Sequence, residues 1–313
     1  MSGPSPFATW WATYALATGV VSVGLDSAGY EILSRVALVP ACAAWLVAGA
    51  GLAQRAQGGW RAEAPAALTT VAATAVLGTG FSAAGLQPLA EALLALALLL
   101  WAVLLTVEVR GRRGTVFLRC VATQGLAVLG ATLAAADTVA WLAHAALVLF
   151  WLGLALYGFA LFRFEPRQVE EGHGDHWLAA GALAVSSLAG AKLLSADSAR
   201  LYLWNEENTG ALRTTAVTLL VLALIACVAL LLAELFWPRH HYDVRRWATV
   251  FAAVVTAAAT LAVADALDVP WLDVAGEALL WIAVAAWLGC TAWAVTSARA
   301  GARRSRVRTR ARR

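Results

Sequence analysis

The side chains with chemistry to offer lie mostly inside apolar runs, and most carry no charge. Thr13, Thr18 and Ser22 fall in one run, Thr70 and Thr79 in a second, Thr123 and Gln124 in a third. Ser186 and Ser187 occupy a fourth, Thr256 and Thr260 a fifth. Hydroxyls and amides in such surroundings can replace water around an ion without a formal charge. Each hydroxyl can also bond back to its own helix. Lys192, the lone lysine, sits near the end of an apolar run. It would draw an anion if it faced inward, or snorkel to the headgroups if it faced lipid.

The other reactive residue types form no recognisable machinery. Glu91, Asp137, Asp265 and Glu277 all fall within about two turns of a run's end, so no deep proton relay is built. No phosphate-cradling glycine loop is present. His173-Gly-Asp-His176 and His240-His241-Tyr-Asp243 lack a specific metal-ligand spacing such as HExxH and read as solvated loops. His144 reads as a packed or hydrogen-bonded histidine. The cysteines, Cys42, Cys120, Cys227 and Cys290, lie in apolar runs with no CxxC pair, so neither a disulfide frame nor a zinc site is expected. No metal and no cofactor is implied.

The elements that must position these residues follow from composition. Of 313 residues, 61% are hydrophobic and 13% charged. A soluble domain carries about 25% charged residues, so this chain has too little polar surface for a globule in water. That excludes a large aqueous enzyme domain, a disordered chain and a secreted disulfide scaffold. A helix needs about 20 apolar residues to cross a bilayer. Ten runs qualify, at 7–25, 29–52, 66–86, 88–106, 116–136, 138–162, 176–195, 212–236, 246–267 and 270–297. The first has no positive segment before it and reads as a retained helix. Pro6, Pro65, Pro88 and Pro270 stand at or near starts, where a missing N–H costs nothing; Pro40 should kink the second run. Residues 1–298 then form one all-α transmembrane domain, and 299–313 a basic tail.

Charge orients the bundle. With ten spans, nineteen of the 23 basic residues share the side of both termini, eight of them from Arg299 to Arg313. Only Arg35, Lys192, Arg200 and Arg213 fall on the other side, which carries most of the carboxylates. The positive-inside rule places both termini in the cytoplasm. The basic tail then meets anionic lipid rather than nucleic acid. Trp60, Trp177, Trp204, Trp237 and Trp271 fall near run ends, as an interfacial belt would.

Leucine counts 16 on the odd-numbered runs and 33 on the even ones, whereas Gly, Ser and Thr count 26 and 16. Small residues favour packed or pore-lining helices. The expectation is five helical hairpins, odd members inside around a central path and even members outside.

Several stretches carry a resemblance. Pro6-Phe7-Ala8 leading into Ala17-Thr18-Gly19-Val20-Val21-Ser22, Val121-Ala122-Thr123-Gln124, Asp175-His176-Trp177 with Gly181-Ala182-Leu183-Ala184, and Arg245-Arg246-Trp247-Ala248-Thr249-Val250-Phe251 occur in order along the chain. They resemble the first, fifth, seventh and ninth helices of the tellurite-resistance/C4-dicarboxylate transporter family, which includes yeast malate and sulfite transporters and plant slow-type anion channels. The resemblance implies five hairpins around one pore per subunit, commonly as homotrimers in the cell membrane, and movement of small anions. It also implies a phenylalanine plug on the ninth helix, for which Phe251 is the matching position. Members often continue Phe-Pro, whereas this chain reads Phe251-Ala252-Ala253, and helices 5, 7 and 9 contain no internal proline.

The expected function is an anion channel or transporter, not an enzyme. Its pore gate would be Phe251, its lining Thr18, Ser22, Thr79, Thr123, Gln124, Ser186, Ser187 and Thr256, and its anion attractor Lys192. Val255 and Thr249 are alternatives for the constriction. Malate-like dicarboxylate, tellurite, sulfite, chloride and nitrate are all open as substrates. The contrasting reading is a membrane scaffold or enzyme working at the histidine loops, which chelator-sensitive activity would favour.

Overall fold

A computed structural model describes residues 6–55, 60–105, 114–163, 176–197, 203–236 and 246–310. Within them lie ten α-helices: α1 (Pro6–Ser27), α2 (Glu31–Arg55), α3 (Trp60–Ala83), α4 (Gln87–Leu105), α5 (Leu118–Asp137), α6 (Ala140–Arg163), α7 (His176–Ala196), α8 (Glu206–Phe236), α9 (Arg246–Leu267) and α10 (Pro270–Arg310). A short 3₁₀ turn, Gly114–Phe117, leads into α5. No strand occurs among the described residues.

Two starts differ from the sequence expectation. α3 begins at Trp60 rather than near 66, so Pro65 is internal to it, and α8 begins at Glu206 rather than 212. In both cases a polar first turn precedes the apolar run, and hydropathy does not register a helix that continues into the interface. α10 likewise continues without a break from the last apolar run through Arg310. Of the ten expected spans, nine helices among the described residues, α2 to α10, are long and apolar enough to cross a membrane. α1 is 22 residues long, but Trp10, Trp11, Tyr14 and its threonines dilute its apolar character.

The contacts among helices have a simple order. α1 touches α3, α3 touches α5, α5 touches α7, α7 touches α9, and α9 touches α1. Each of these five also packs against the helix that follows it in the chain. In the apolar windows of α3, α5, α7 and α9, 72–83% of residues are buried, against 17–33% in α2, α4, α6, α8 and α10. The latter group exposes large apolar side chains, including Ile32, Phe162, Ile225 and Ile282. Only lipid makes such surfaces stable without a protein partner. The chain is an all-α, multi-pass membrane protein.

Four inter-helix turns share one geometry. After α1, α3, α5 and α9 the chain closes with a residue at positive φ: Gly29 (81°), Gly85 (81°), Thr138 (54°) and Asp268 (54°). In each, the next residue's amide reaches back to a carbonyl five positions earlier: Tyr30 to Leu25, Leu86 to Phe81, Val139 to Ala134 and Val269 to Ala264. This is the Schellman closure, which satisfies last-turn carbonyls where the backbone turns left-handed. It returns the chain at once into the following helix. These turns, rich in carboxylates, define the acidic end of the bundle; the opposite end is the basic end.

At the basic end, Trp247 of α9 is fully buried. It meets Tyr14 edge-on at 4.9 Å and Trp10 at 6.4 Å, and so binds α9 to α1. The Arg246 guanidinium lies 4.4 Å over the Trp293 ring of α10, a cation–π contact of about 0.5–2 kcal/mol.

Candidate functional site

α1, α3, α5, α7 and α9 enclose a cavity of about 20 Å³ near the bundle axis, room for about one water. Its walls are aliphatic: Val20 and Val23 of α1, Val76 of α3, Val121 and Val128 of α5, Val185 of α7 and Val255 of α9. Thr79 supplies the one hydroxyl among them, and Phe251 stands in the same wall. Phe251 is 1% exposed. Its ring lies against Gly181 of α7, where a Cβ would come within 2.6 Å of Cε1. The glycine is therefore the seat of the ring. Trp247, four residues earlier on the same helix face, continues the aromatic packing toward the basic end.

A second cavity, of about 390 Å³ and partly open, lies at the acidic end. Asp26 and Ser27 of α1, Thr79 and Ser82 of α3, Gln87 of α4, Thr132 of α5 and Lys192 of α7 line it. Val23 and Thr79 line both cavities, so the two adjoin. Lys192 is half-buried and its side chain lines this space.

Of the eight lining candidates from sequence, Thr79 alone borders either cavity. Its hydroxyl bonds to the Ala75 carbonyl at 3.1 Å. Ser186 and Thr256 likewise donate to Ala182 and Ala252 at 2.7 Å. Ser22 turns to α2, donating to the Ser34 carbonyl at 2.8 Å, and Ser187 donates to the Ala216 carbonyl of α8 at 2.9 Å. Gln124 reaches α6, where Nε2 donates to the Phe150 carbonyl at 3.1 Å, and its side chain fills the space over Gly153. Val255 borders the axial cavity, whereas Thr249 does not.

The remaining two candidates take part in a pattern that the sequence did not reveal. The Trp287 indole N–H of α10 donates to Thr18 of α1 at 3.0 Å. Trp45 of α2 donates to Thr74 of α3, and Trp101 of α4 to Thr123 of α5, each at 2.8 Å. In all three, a helix with much exposed surface delivers an indole to a threonine on a more buried one. Such bonds within a membrane are worth about 0.6–2 kcal/mol. Sequence reasoning gave tryptophan only an interfacial role. Trp177, assigned there to the belt, is fully buried, while Trp271 is 72% exposed. Trp204 donates to the Leu193 carbonyl at 3.2 Å; the side chain of Trp60 and all of Trp237 lie outside the described residues.

His173, His240, His241 and Asp243 also lie outside the described residues. His144 is exposed, with Nδ1 2.8 Å from the Ala140 carbonyl. At the acidic end, Tyr30 donates its hydroxyl to Glu277 of α10. That bond pushes the Tyr30 ionisation above its ordinary value.

The sequence profile of the voltage-dependent anion channel family matches residues 109–295, more than half of the chain. The chain belongs to the voltage-dependent anion channel family. This agrees with the resemblance to the slow-type anion channels read from its motifs. The matched segment runs from the approach to α5 into α10 and includes Gly181, Lys192 and Phe251. No curated protein matches the chain. Family membership makes the protein a membrane anion channel or transporter; the family is one of channels and transporters, not of enzymes.

Proposed function

We propose that this member of the voltage-dependent anion channel family passes small anions along the axis of its own helix bundle, with Phe251 as the gate. The observation that carries the reading is the adjoining pair of cavities. One is wide and polar and holds Lys192; the other is narrow, aliphatic and bordered by Phe251. Lys192 draws the anion to the wide cavity. The narrow segment holds about one water and blocks passage, as a hydrophobic constriction does by dewetting. The closed sequence of contacts from α1 through α9 supports five hairpins, with the odd-numbered helices around the path.

The charge bias supports an acidic end facing outward and both termini in the cytoplasm, in the cell membrane. The exposed apolar surface of the even-numbered helices is available for lipid and for a homotrimer whose pores lie one in each subunit. Malate-like dicarboxylates, tellurite, sulfite, chloride and nitrate belong to the candidate class of small anions.

Phe251→Ala should raise chloride and nitrate flux in liposomes severalfold while leaving expression and assembly intact, with a lower thermal midpoint because a buried ring is lost. A well-folded Phe251→Ala protein with the parent's flux would remove the gate assignment.

A further inference from the structure

We propose that the acidic-end cavity binds a small anion and a proton together, the anion on the Lys192 ammonium and the proton on the Asp26 carboxylate. This rests on the reading of Lys192 as the anion-attracting group and adds a second site and a coupling to it.

The polar groups of this cavity divide into two sets. The hydroxyls are committed: Thr79 to Ala75, Ser27 to Val23 and Thr132 to Val128. Ser82 and Gln87 satisfy one another across the α3–α4 turn, at 2.8 and 3.2 Å. Asp26 and Lys192 differ. Among the described residues neither side chain has a hydrogen bond or an ion pair, yet both line the same space. Their charges act on each other through the cavity.

Of the other charged groups at this end, Glu91 of α4 is exposed, Asp137 after Ala136 does not line the cavity, and Asp197 accepts from the Leu203 amide at 2.8 Å. Lys192 also feels Asp265 of α9. Asp26 also feels Glu31 and Arg35 of α2, which pair with each other at 3.3 Å. α3 and α5 present no ionisable side chain to the cavity. On α10, Glu277 is held by Tyr30. On α6, His144 bonds its own helix, and Glu206 and Glu207 at the start of α8 are exposed.

With both groups ionised, the lining is neutral. An arriving anion then meets one positive charge, one negative charge and the C-terminal ends of α1, α3, α5 and α7, whose partial charge is negative. A proton on Asp26 removes the repulsive carboxylate and leaves Lys192 unopposed. The anion in turn favours the protonated carboxyl, because a nearby like charge disfavours ionisation. The two bindings help each other by the same factor, as linkage requires. Anion affinity should therefore be highest at acidic pH and fall as the pH rises through the Asp26 titration.

The test uses the full chain in detergent, weakly buffered, with chloride as the probe and ionic strength held constant by a bulky sulfonate. Chloride addition should cause proton uptake between about pH 4 and 7, the range above an ordinary aspartate pKa of about 3.9. Chloride affinity, followed by calorimetry, should fall severalfold across that range. Asp26→Asn should abolish the uptake and keep chloride binding at all these pH values. Lys192→Gln should lose both, and Asp265→Asn should keep the uptake. A parent protein whose chloride affinity does not change with pH, or that takes up no proton, overturns the proposal whatever the variants do. Uptake that persists in Asp26→Asn overturns it as well. Proton-linked chloride binding without chloride flux in liposomes would instead remove the transport reading and leave this one standing.

Discussion

Phe251 is held by what is missing opposite it. Gly181 leaves room for the ring, and a methyl group there would come within 2.6 Å of it, closer than side chains approach without something shifting. Gly181→Ala should therefore displace the ring and raise basal anion flux, in the same direction as Phe251→Ala. The double variant should show no more flux than Phe251→Ala alone, since the two residues act through one contact. Additive effects in liposome flux would show that Gly181 acts elsewhere. The proposal of Phe251 as the gate comes from the sequence only through a motif; periodicity gave no reason to prefer it over Val255, which borders the same cavity. The facing of the hydroxyls was not legible at all. Thr18, Thr74 and Thr123 lie on helices apolar on every side, so their spacing could not tell an axial face from one meeting a tryptophan.

At the scale of elements, the four repeated turns differ in how comfortably they are made. Gly29 and Gly85 adopt positive φ freely, whereas Thr138 and Asp268 hold side chains in the same backbone region. A left-handed conformation costs an ordinary residue about 1–2 kcal/mol, less for aspartate, whose short polar side chain tolerates it. Thr138→Gly should stabilise the protein by a few tenths to about 1 kcal/mol after the entropy of glycine is offset. Asp268→Gly should gain less, and Gly85→Ala should lose about 1 kcal/mol or more. Thermal midpoints in one detergent would rank the three, and a lower midpoint for Thr138→Gly would contradict the argument. The helices themselves were plain in the sequence, because an apolar run as long as a bilayer is thick suits a helix that crosses one and little else. Their ends were not. The first turns of α3 and α8 are polar and leave no mark on hydropathy.

For the whole molecule, orientation and assembly rest on surface chemistry. Nineteen of 23 basic residues on one side predict a cytoplasmic C-terminus. A reporter fused there should be active only if it is of a cytoplasmic kind; activity of a periplasmic reporter would invert the bundle. The resemblance to the slow-type anion channels, together with the exposed apolar faces of α2, α4, α6, α8 and α10, predicts a homotrimer in mild detergent, to be checked by its mass. A fully active monomer would assign those faces to lipid alone. The multi-span, all-helical architecture was legible at this scale because apolar runs as long as a bilayer is thick fill the chain. The axial lining was not, because valine is as much at home against a neighbouring helix as against a water-filled space.

The indole–threonine bonds have a consequence for which ions the passage would favour. By engaging Thr18, Thr74 and Thr123 away from the axis, they leave a wall of valines that offers a passing ion no substitute for its hydration shell. Selection along such a wall follows how readily each ion parts with its water. Nitrate, which holds water loosely, should outrun chloride, and a doubly charged carboxylate should pass last. Bi-ionic reversal potentials on Phe251→Ala, with the ring removed, would read that order from the valines themselves. Chloride ahead of nitrate would mean that the open passage presents polar groups that this closed one keeps turned away.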